Sequence, residues 1–526
     1  MTEESKDKDG APPFSPFQRS LHSPEEFTIT FELVPSRGGR NRRIDRTLGL
    51  ARDLALDGRI RAVSITDNAG GSPALSPEVL GLEIKAMGLD VISHFSCKDK
   101  NRNEMESQLF GWDRRGLHNL LVISGDYPKE GYSGHPKPVF DLDSVHVVDM
   151  LRLMNQGRFI RHENQPTAFF KGVAVSPFKL TEAEQLMQYA KLRRKIAAGA
   201  DYVITQLGFD ARKYHEALLF MQRHDLRLPV LGSVFVPTLK LAEIMYQGGV
   251  PGCIVSEKLY REMQKEATAA DKGKKARLTR AAKLLAILRH MDYNGAHIGG
   301  PGLRMEDFDF MLTEARKYLP QAGELVGDVN FWPEEGFYLF HKDEHTGLNR
   351  EEMNQCGQGF AAFRPVFSLA RLVHNAAFDP RSPLFPFCRT SCLALHDSCL
   401  KKPFFALEHV SKFLLFDCQN CGDCTLAGHG YLCPQSGCAK YMLNGPCGGS
   451  RDGWCEVYPG KKRCLYVKAY ERNPSSASPD EDAQSFEPPR NWLLNGSSSW
   501  ANFYQGRDNR GEQTTREPKK TNNNFS

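Results

Sequence analysis

Eight short apolar runs, each followed by a helix-like stretch, constrain the fold of this chain more than any other feature. They are FTITFELV (27–34), IRAVSITD (60–67), LDVISHF (89–95), HNLLVISGD (118–126), FFKGVAVS (169–176), ADYVITQL (200–207), LPVLGSVFV (228–236) and NGAHIGG (294–300). Short runs rich in Val, Ile and Phe read as strands buried on both faces, and alternation with helices is the pattern of a parallel sheet covered by helices. Eight such units between residues 27 and 300 fit a (β/α)8 barrel in the α/β class. A doubly wound sheet shows the same alternation, but no strand here runs into a G-x-G-x-x-G turn, so the barrel is expected. The stretch from Ser256 to His290 has apolar residues at helical spacing and a basic polar face, as a solvated pair of barrel helices would.

Around this barrel, assigned to residues 25–320, composition divides the rest of the chain. Residues 1–24 and 471–526 are polar and rich in Pro, Ser and Lys, and are expected to be disordered. Residues 321–385 carry aromatics and prolines without periodicity and read as a packed connector to a cysteine-rich domain at 386–470. With 68 basic against 63 acidic residues the charge is too balanced to argue for nucleic acid as a partner. No apolar stretch approaches the roughly 18 residues of a membrane span, and the N-terminus has no secretory apolar core, so a cytoplasmic location away from membranes is expected.

Eleven of the 14 cysteines lie between Cys388 and Cys464. Eight form one run: Cys418, Cys421, Cys424, Cys433, Cys438, Cys447, Cys455 and Cys464. The opening C-x2-C-x2-C lets three thiolates converge from a tight turn, a spacing common around iron–sulfur clusters. Zinc more often takes paired C-x2-C knuckles separated by a longer loop, and remains the alternative. Eight thiols supply two four-iron clusters, or one cluster plus zinc. Cys388, Cys392 and Cys399 are either further ligands or small buried hydrophobes.

In a barrel, the residues closing each strand form the active face. Glu32, between Phe31 and Leu33 at the end of the first run, is a candidate acid whose pKa desolvation would raise, or else a buried structural carboxylate. Asp126 and Gln206 close the fourth and sixth runs, where a carboxylate and an amide can read the polar edge of a heterocycle or merely cap the following helices. His94 closes the third run, and the small residues of TDNAG (66–70) close the second, leaving space for a flat ligand.

These strand ends resemble the methylenetetrahydrofolate reductase family. The resemblance rests on F-E-x-x-P-x-R (31–37), S-I-T-D-N-A-G, H-F-S-C-K-D-K-N-R-N-E, the pair Gly125-Asp126, and R-K-x-x-A-G-A-D-x-x-I-T-Q-x-x-F-D ending at Asp210. The cysteine region resembles the C-terminal domain that some bacterial reductases of this family carry, above all in L-N-G-P-C-G-G-S-R-D-G-W-C-E-V. The resemblance implies a flavin barrel interconverting 5,10-methylenetetrahydrofolate and 5-methyltetrahydrofolate in one-carbon and methionine metabolism. It implies Glu32 as proton donor, Asp126 as stabiliser of the cationic intermediate, and Gln206 on the pterin. Thr66, Ala69, His94, Gly125, Asp126, Arg194 and Lys195 would surround the flavin or nicotinamide, with Arg194 and Lys195 on phosphate.

The sequence also departs from the family. Ser124 stands where an arginine is usual, which leaves FMN open beside FAD. Leu241 and Met245 replace a glutamine and a phenylalanine that touch substrate and nicotinamide. Electrons are therefore expected either from NAD(P)H or, through clusters in the cysteine domain, from ferredoxin or a partner subunit of an oligomer. A different reading makes the chain a non-catalytic electron-transfer or scaffold protein with a pterin-binding barrel.

Overall fold

The computed structural model describes residues 14–158, 165–357, 365–474 and 486–508. All eight expected strands form: β1 (Thr28–Leu33), β2 (Ala62–Ile65), β3 (Asp90–Ser96), β4 (Asn119–Ile123), β5 (Phe170–Val175), β6 (Tyr202–Thr205), β7 (Val230–Phe235) and β8 (Gly295–Gly299). They pair in parallel in chain order, and β8 closes onto β1 through Thr28–Gly295 to Phe31–Ile298. The segment from Ser256 is a helix pair, Glu257–Glu266 and Lys274–His290.

The barrel interior is filled from below. Ala62, Ile92, Leu121, Phe170, Tyr202 and Leu231 point inward and meet Phe17 and Leu21 from a helix, Pro16–His22, that plugs the N-terminal end. The Tyr202 ring lies across Gly172, where a Cβ would come within 2.2 Å of it, so β5 must lack a side chain at that point. Residues 14–24 were expected to be disordered; instead Phe17 N–H donates to Asp90 Oδ2 at 2.7 Å and Gln18 Nε2 to Asn119 Oδ1 at 2.7 Å. Two buried apolar side chains and these bonds outweigh the polar composition of the segment.

The connector is more ordered than its composition suggests. A short antiparallel pair, β9 (Phe340–Lys342) and β10 (Asn349–Met353), packs on the barrel helix Ala211–Arg223. There Leu339 N–H donates to Glu216 Oε2 at 2.7 Å, and Glu216 is also paired with the buried Lys213. Helices Pro365–Ala377, Phe385–His396 and Lys401–Phe416 then lead into the cysteine run, so the region begins helical. Before the tail, a helix, Leu465–Arg472, buries Leu465, Tyr466, Val467 and Tyr470 in the barrel's own apolar cluster. Of the tail expected to be disordered, 475–485 and 509–526 lie outside the described residues, and 486–508 are ordered. Residues 486–508 return across the cysteine run, where Ser499 N–H and Oγ both bond the buried Glu408 carboxylate. Cys388 and Cys392 pack among Phe378, Phe385, Ala501 and Tyr504, the small-hydrophobe alternative. Cys399 is exposed.

The stretch 443–451 is a glycine-rich strap laid on the barrel. Asp143 Oδ2 accepts from Leu443 N at 3.1 Å and Asn444 N at 2.7 Å. Lys191 Nζ donates to the carbonyls of Gly445 and Pro446 at 3.3 and 3.2 Å, and Lys179 donates to those of Gly448 and Ser450. Arg451 Nη1 and Nη2 donate to the carbonyls of Met245 and Tyr246, both at 3.0 Å. No helix among the described residues is long and apolar enough to cross a membrane.

Candidate active site

A cavity of about 510 Å³ opens at the C-terminal mouth of the barrel. Its walls bring together Glu32, Thr66, Ala69, His94, Gly125, Asp126, Lys195 and Gln206, residues that the sequence spreads over more than 170 positions. Strand alternation turns Glu32 and His94 inward, the segments just after β2, β4 and β6 add Thr66, Ala69, Gly125, Asp126 and Gln206 at the rim, and Lys195 comes from the helix Glu182–Ala197.

Glu32, next to last in β1, keeps 28% of its side chain exposed to the cavity. His297 of β8 sits beside it, with Nε2 4.0 Å from Glu32 Oε2, held by Thr30 Oγ1 at 2.8 Å on Nδ1 and Ser64 Oγ at 3.3 Å on Nε2. Desolvation was expected to raise the Glu32 pKa. Burial does push it upward, but His297 and then His94 outweigh that and hold the carboxyl below its ordinary value. Burial also lowers His94 to about 4, so its imidazole is neutral at pH 7. Among the described residues, His94 Nε2 and Thr66 Oγ1 find no hydrogen-bond partner and are buried in the cavity wall. His297 escaped the sequence reading, although a histidine at the end of the last strand run was the available signal.

Asp126 follows β4 and accepts from Gly70 N at 2.6 Å, which ties the β4 end to the small-residue turn after β2. Gly125 between them has φ +80°, and a Cβ there would lie 2.1 Å from Ser96 Oγ and 2.9 Å from Lys98 Cγ. Only glycine fits both the conformation and the space. Gln206 turns its Oε1 back to accept from Leu207 N at 2.9 Å, leaving its amide group beside the cavity. Lys195 is buried, donates to the Ala174 carbonyl at 2.6 Å, and is lowered to about 7 by burial and then by Lys191. Arg194 is not brought to the cavity. One residue is about 100° of helix rotation, so Arg194 lies against the cysteine region, where its charge acts on His429 and Tyr466. Leu241 and Met245 also lie away from the cavity, in an apolar cluster with Phe209, Cys253 and Val255.

The remaining wall comes from the cysteine region: Lys440, Pro446, Cys447, Gly448, Gly449 and Glu456. None was legible as barrel lining from sequence. Lys440 Nζ donates to the Gly125 carbonyl at 2.6 Å and pairs with Glu456. Burial opposes its charge, but Cys447, Glu456 and Asp126 together hold its ammonium above the ordinary lysine range.

The eight cysteines divide in space into two sets. Cys418, Cys421, Cys424 and Cys433 line one hollow together with Lys412 and Arg490. Arg490 Nη1 lies 2.8 Å from Cys421 Sγ, and Asn420 N–H points to Cys418 Sγ at 3.4 Å. Cys438, Cys447, Cys455 and Cys464 influence one another electrostatically, and burial pushes Cys447 up to about 12. Cys447 Sγ also lies 3.5 Å from Glu456 Oε1. All 14 cysteines are free thiols, and among the described residues no three Cys, His, Asp or Glu side chains are gathered closely enough for a single metal ion.

Comparison with known proteins agrees with this architecture. The sequence model described as methylenetetrahydrofolate reductase matches residues 17–290, and that described as methylene-tetrahydrofolate reductase C terminal matches residues 398–493. The 5,10-methylenetetrahydrofolate reductase of Salmonella typhimurium is 24% identical over 192 residues, which is 36% of this chain and 57% of that protein. Methylenetetrahydrofolate reductase 1 of Schizosaccharomyces pombe is 27% identical over 219 residues, 40% of this chain and 33% of that protein. The chain thus spans a third to just over half of the length of these curated relatives. A solved structure of an uncharacterized Clostridium thermocellum protein, described as binding two copies of 5-methyl-5,6,7,8-tetrahydrofolic acid, has 13% identity and a TM-score of 0.41. It covers 58% of this chain and 99% of that one, a likeness too low to argue from. With a family match that takes in more than half of its residues and a closed barrel beneath it, the chain belongs to the methylenetetrahydrofolate reductase family.

Proposed function

We propose that this chain catalyses the interconversion of 5,10-methylenetetrahydrofolate and 5-methyltetrahydrofolate, with FAD in the barrel cavity and electrons arriving through the cysteine region. The observation that carries the proposal is that Glu32, Asp126 and Cys447 line one cavity. The expected proton donor, the polar anchor and one thiol of the second set therefore border one volume, of a size ordinary for a cofactor site.

The cavity suits a flat, hydrogen-bonding ring. Among the described residues, His94 Nε2 and Thr66 Oγ1 are buried in its wall without partners, ready to bond a ring edge. Thr66, Ala69, His94, Gly125, Asp126 and Lys195 would hold the flavin, which supplies hydride to the folate carbon. FMN would use the same ring contacts without a second phosphate. Of the two expected phosphate contacts, Lys195 lines the cavity, which supports that role; Arg194 is turned to the cysteine region.

The chain's own residues divide the work by charge. Hydride adds poorly to a neutral methylene bridge, so the five-membered ring must first be opened by a proton. Glu32 would deliver that proton to the ring nitrogen, with the His297 imidazole, 4.0 Å away, as its neighbour. Asp126 stands ready with a fixed negative charge, steadied by Gly70 N–H, for the cation that results. Gln206 offers an amide edge to the pterin, and the strap closes the mouth against water that would hydrolyse the iminium.

Two observations favour supply through the cysteine region over NAD(P)H. Leu241 and Met245 face an apolar cluster, and strap residues Pro446 to Gly449 occupy part of the cavity wall. Eight thiols in two sets of four are the number that two four-iron clusters take, fed by ferredoxin or a partner subunit, although among the described residues neither set is drawn together around a single ion; zinc at either set would make that set structural. Anaerobic purification with iron, sulfide, zinc and flavin quantified per chain tests this first. Glu32→Gln is then expected to abolish folate turnover and spare flavin binding; turnover surviving that substitution would remove Glu32 as the acid.

A further inference from the structure

We propose that Lys440, supplied by the cysteine region, is a positioning residue of the flavin site: it fixes the Gly125-Asp126 turn and brings a buried ammonium group to the cavity wall. The inference rests on the flavin reading above and concerns a residue outside the barrel.

Three observations carry it. First, Lys440 reaches across the domain boundary. Its Nζ donates to the Gly125 carbonyl at 2.6 Å, lies 5.8 Å from the Phe140 ring centre, and has only 3% of its side chain exposed. Second, among the described residues the cavity wall has no other buried cation at the Gly125-Asp126 end. Ser124 is uncharged, Lys129 is exposed, and Lys195 is tied to the Ala174 carbonyl on β5. The acidic groups of the wall, Glu32, Asp67, Asp126 and Glu456, would otherwise leave the Gly125-Asp126 end negative and hostile to an electron-rich ring.

Third, the partner of Lys440 is itself built in. Glu456 pairs with Lys440 and lies over Gly449, where a Cβ would fall 1.4 Å from Glu456 Oε2, so the strap must be glycine for this carboxylate to reach its place. Glu456 Oε1 is also 3.5 Å from Cys447 Sγ. A continuous line of contacts therefore runs from the second cysteine set through Glu456 and Lys440 to Gly125. A lysine needed only to pin two domains has no reason to end in the wall of a ligand cavity. A buried cation beside a flavin favours the reduced, electron-rich form over the oxidised one, which is how a protein sets a flavin potential.

The test uses the full-length protein, purified anaerobically, with FAD titrated into the unaltered chain and into Lys440→Gln, Lys440→Arg and Glu456→Gln. The readouts are the dissociation constants of oxidised and reduced FAD, the midpoint potential, and the iron and sulfide content. Lys440→Gln is expected to weaken reduced FAD about tenfold more than oxidised FAD, which for a two-electron couple is about 30 mV downward. Lys440→Arg is expected to restore most of that difference. Glu456→Gln, which leaves the lysine in place without its counter-charge, is expected to move the potential upward. Opposite signs from the two partners cannot come from loosened domains, since both substitutions loosen the same contact. Unchanged potentials, or shifts of the same sign in Lys440→Gln and Glu456→Gln, would overturn the proposal. Failure of the unaltered chain to bind FAD would instead overturn the flavin reading itself, and is seen before any variant is compared.

Discussion

Asp143 is where one atom change should separate the strap from the barrel. Its side chain is 1% exposed. Oδ1 caps the helix Ser144–Asn155 by accepting from Val145 N at 2.9 Å and His146 N at 3.3 Å. Oδ2 accepts from Leu443 N, Asn444 N and, at 3.2 Å, Asn444 Nδ2. In Asp143→Asn the amide oxygen can keep the cap, but the NH2 group then faces three donors. Asn444 Nδ2 has another acceptor in the Glu487 carbonyl at 3.0 Å, so two backbone N–H groups lose their partner. At about 1–3 kcal/mol for each buried donor left unpaired, the substitution costs about 4 kcal/mol. Asp143→Ala loses the same two bonds and also the cap, worth about 1 kcal/mol, but buries no surplus amide. The near-isosteric Asn should therefore come within about 1 kcal/mol of Ala. For a unit of barrel size, about 1.5 °C per kcal/mol gives a fall in Tm of about 6 °C. Thermal unfolding of the anaerobically purified chain, with limited proteolysis of the strap, measures both effects. An Asn variant melting within about 2 °C of the parent, with its strap equally protected, would refute the assignment of Asp143 as the anchor.

The remaining expectations concern pH and the glycine cradle. Asp143 is held well below the ordinary carboxylate range: burial alone would raise it, but His146, Lys191 and the Asn444 and Val145 N–H groups prevail. A depressed folded pKa contributes its full stability above the unfolded value near pH 4 and loses it as pH falls further, so strap protection in proteolysis should fade below about pH 4 and not above it. Lys195, at about 7, should take up a proton when an anionic cofactor binds, and affinity should fall as pH rises above 7. Calorimetry at pH 7.5 in buffers of different ionisation enthalpy reads that proton, and no uptake would remove Lys195 from the phosphate. Gly125→Ala must place a Cβ 2.1 Å from Ser96 Oγ at φ +80°, and should cost more than about 2 kcal/mol and abolish FAD binding. Retained binding would show that the turn has room to move.

The barrel was legible in the sequence because strands buried on both faces leave a local mark, a run of Val, Ile, Leu and Phe with polar residues at its end. Glu32, Thr66, His94, Asp126 and Gln206 were legible for the same reason: a strand end is a position along the chain as well as a place in the fold. Charge and docking were not local. The Glu32 pKa turned on His297, 265 positions away, and Arg194 and Lys195 parted because helix rotation sends neighbours to different faces. The polar composition of residues 14–24 and 486–508 hid their order, since a few buried side chains and bonds to distant strands decide whether such segments fold. What the sequence by itself determined is the barrel, the residues that close its strands at the rim, and a region rich in thiols. Only the tertiary structure decided that this region closes the rim with Lys440, Cys447 and Glu456, because contacts between distant segments come from complementary surfaces, which leave no periodic trace in either segment alone.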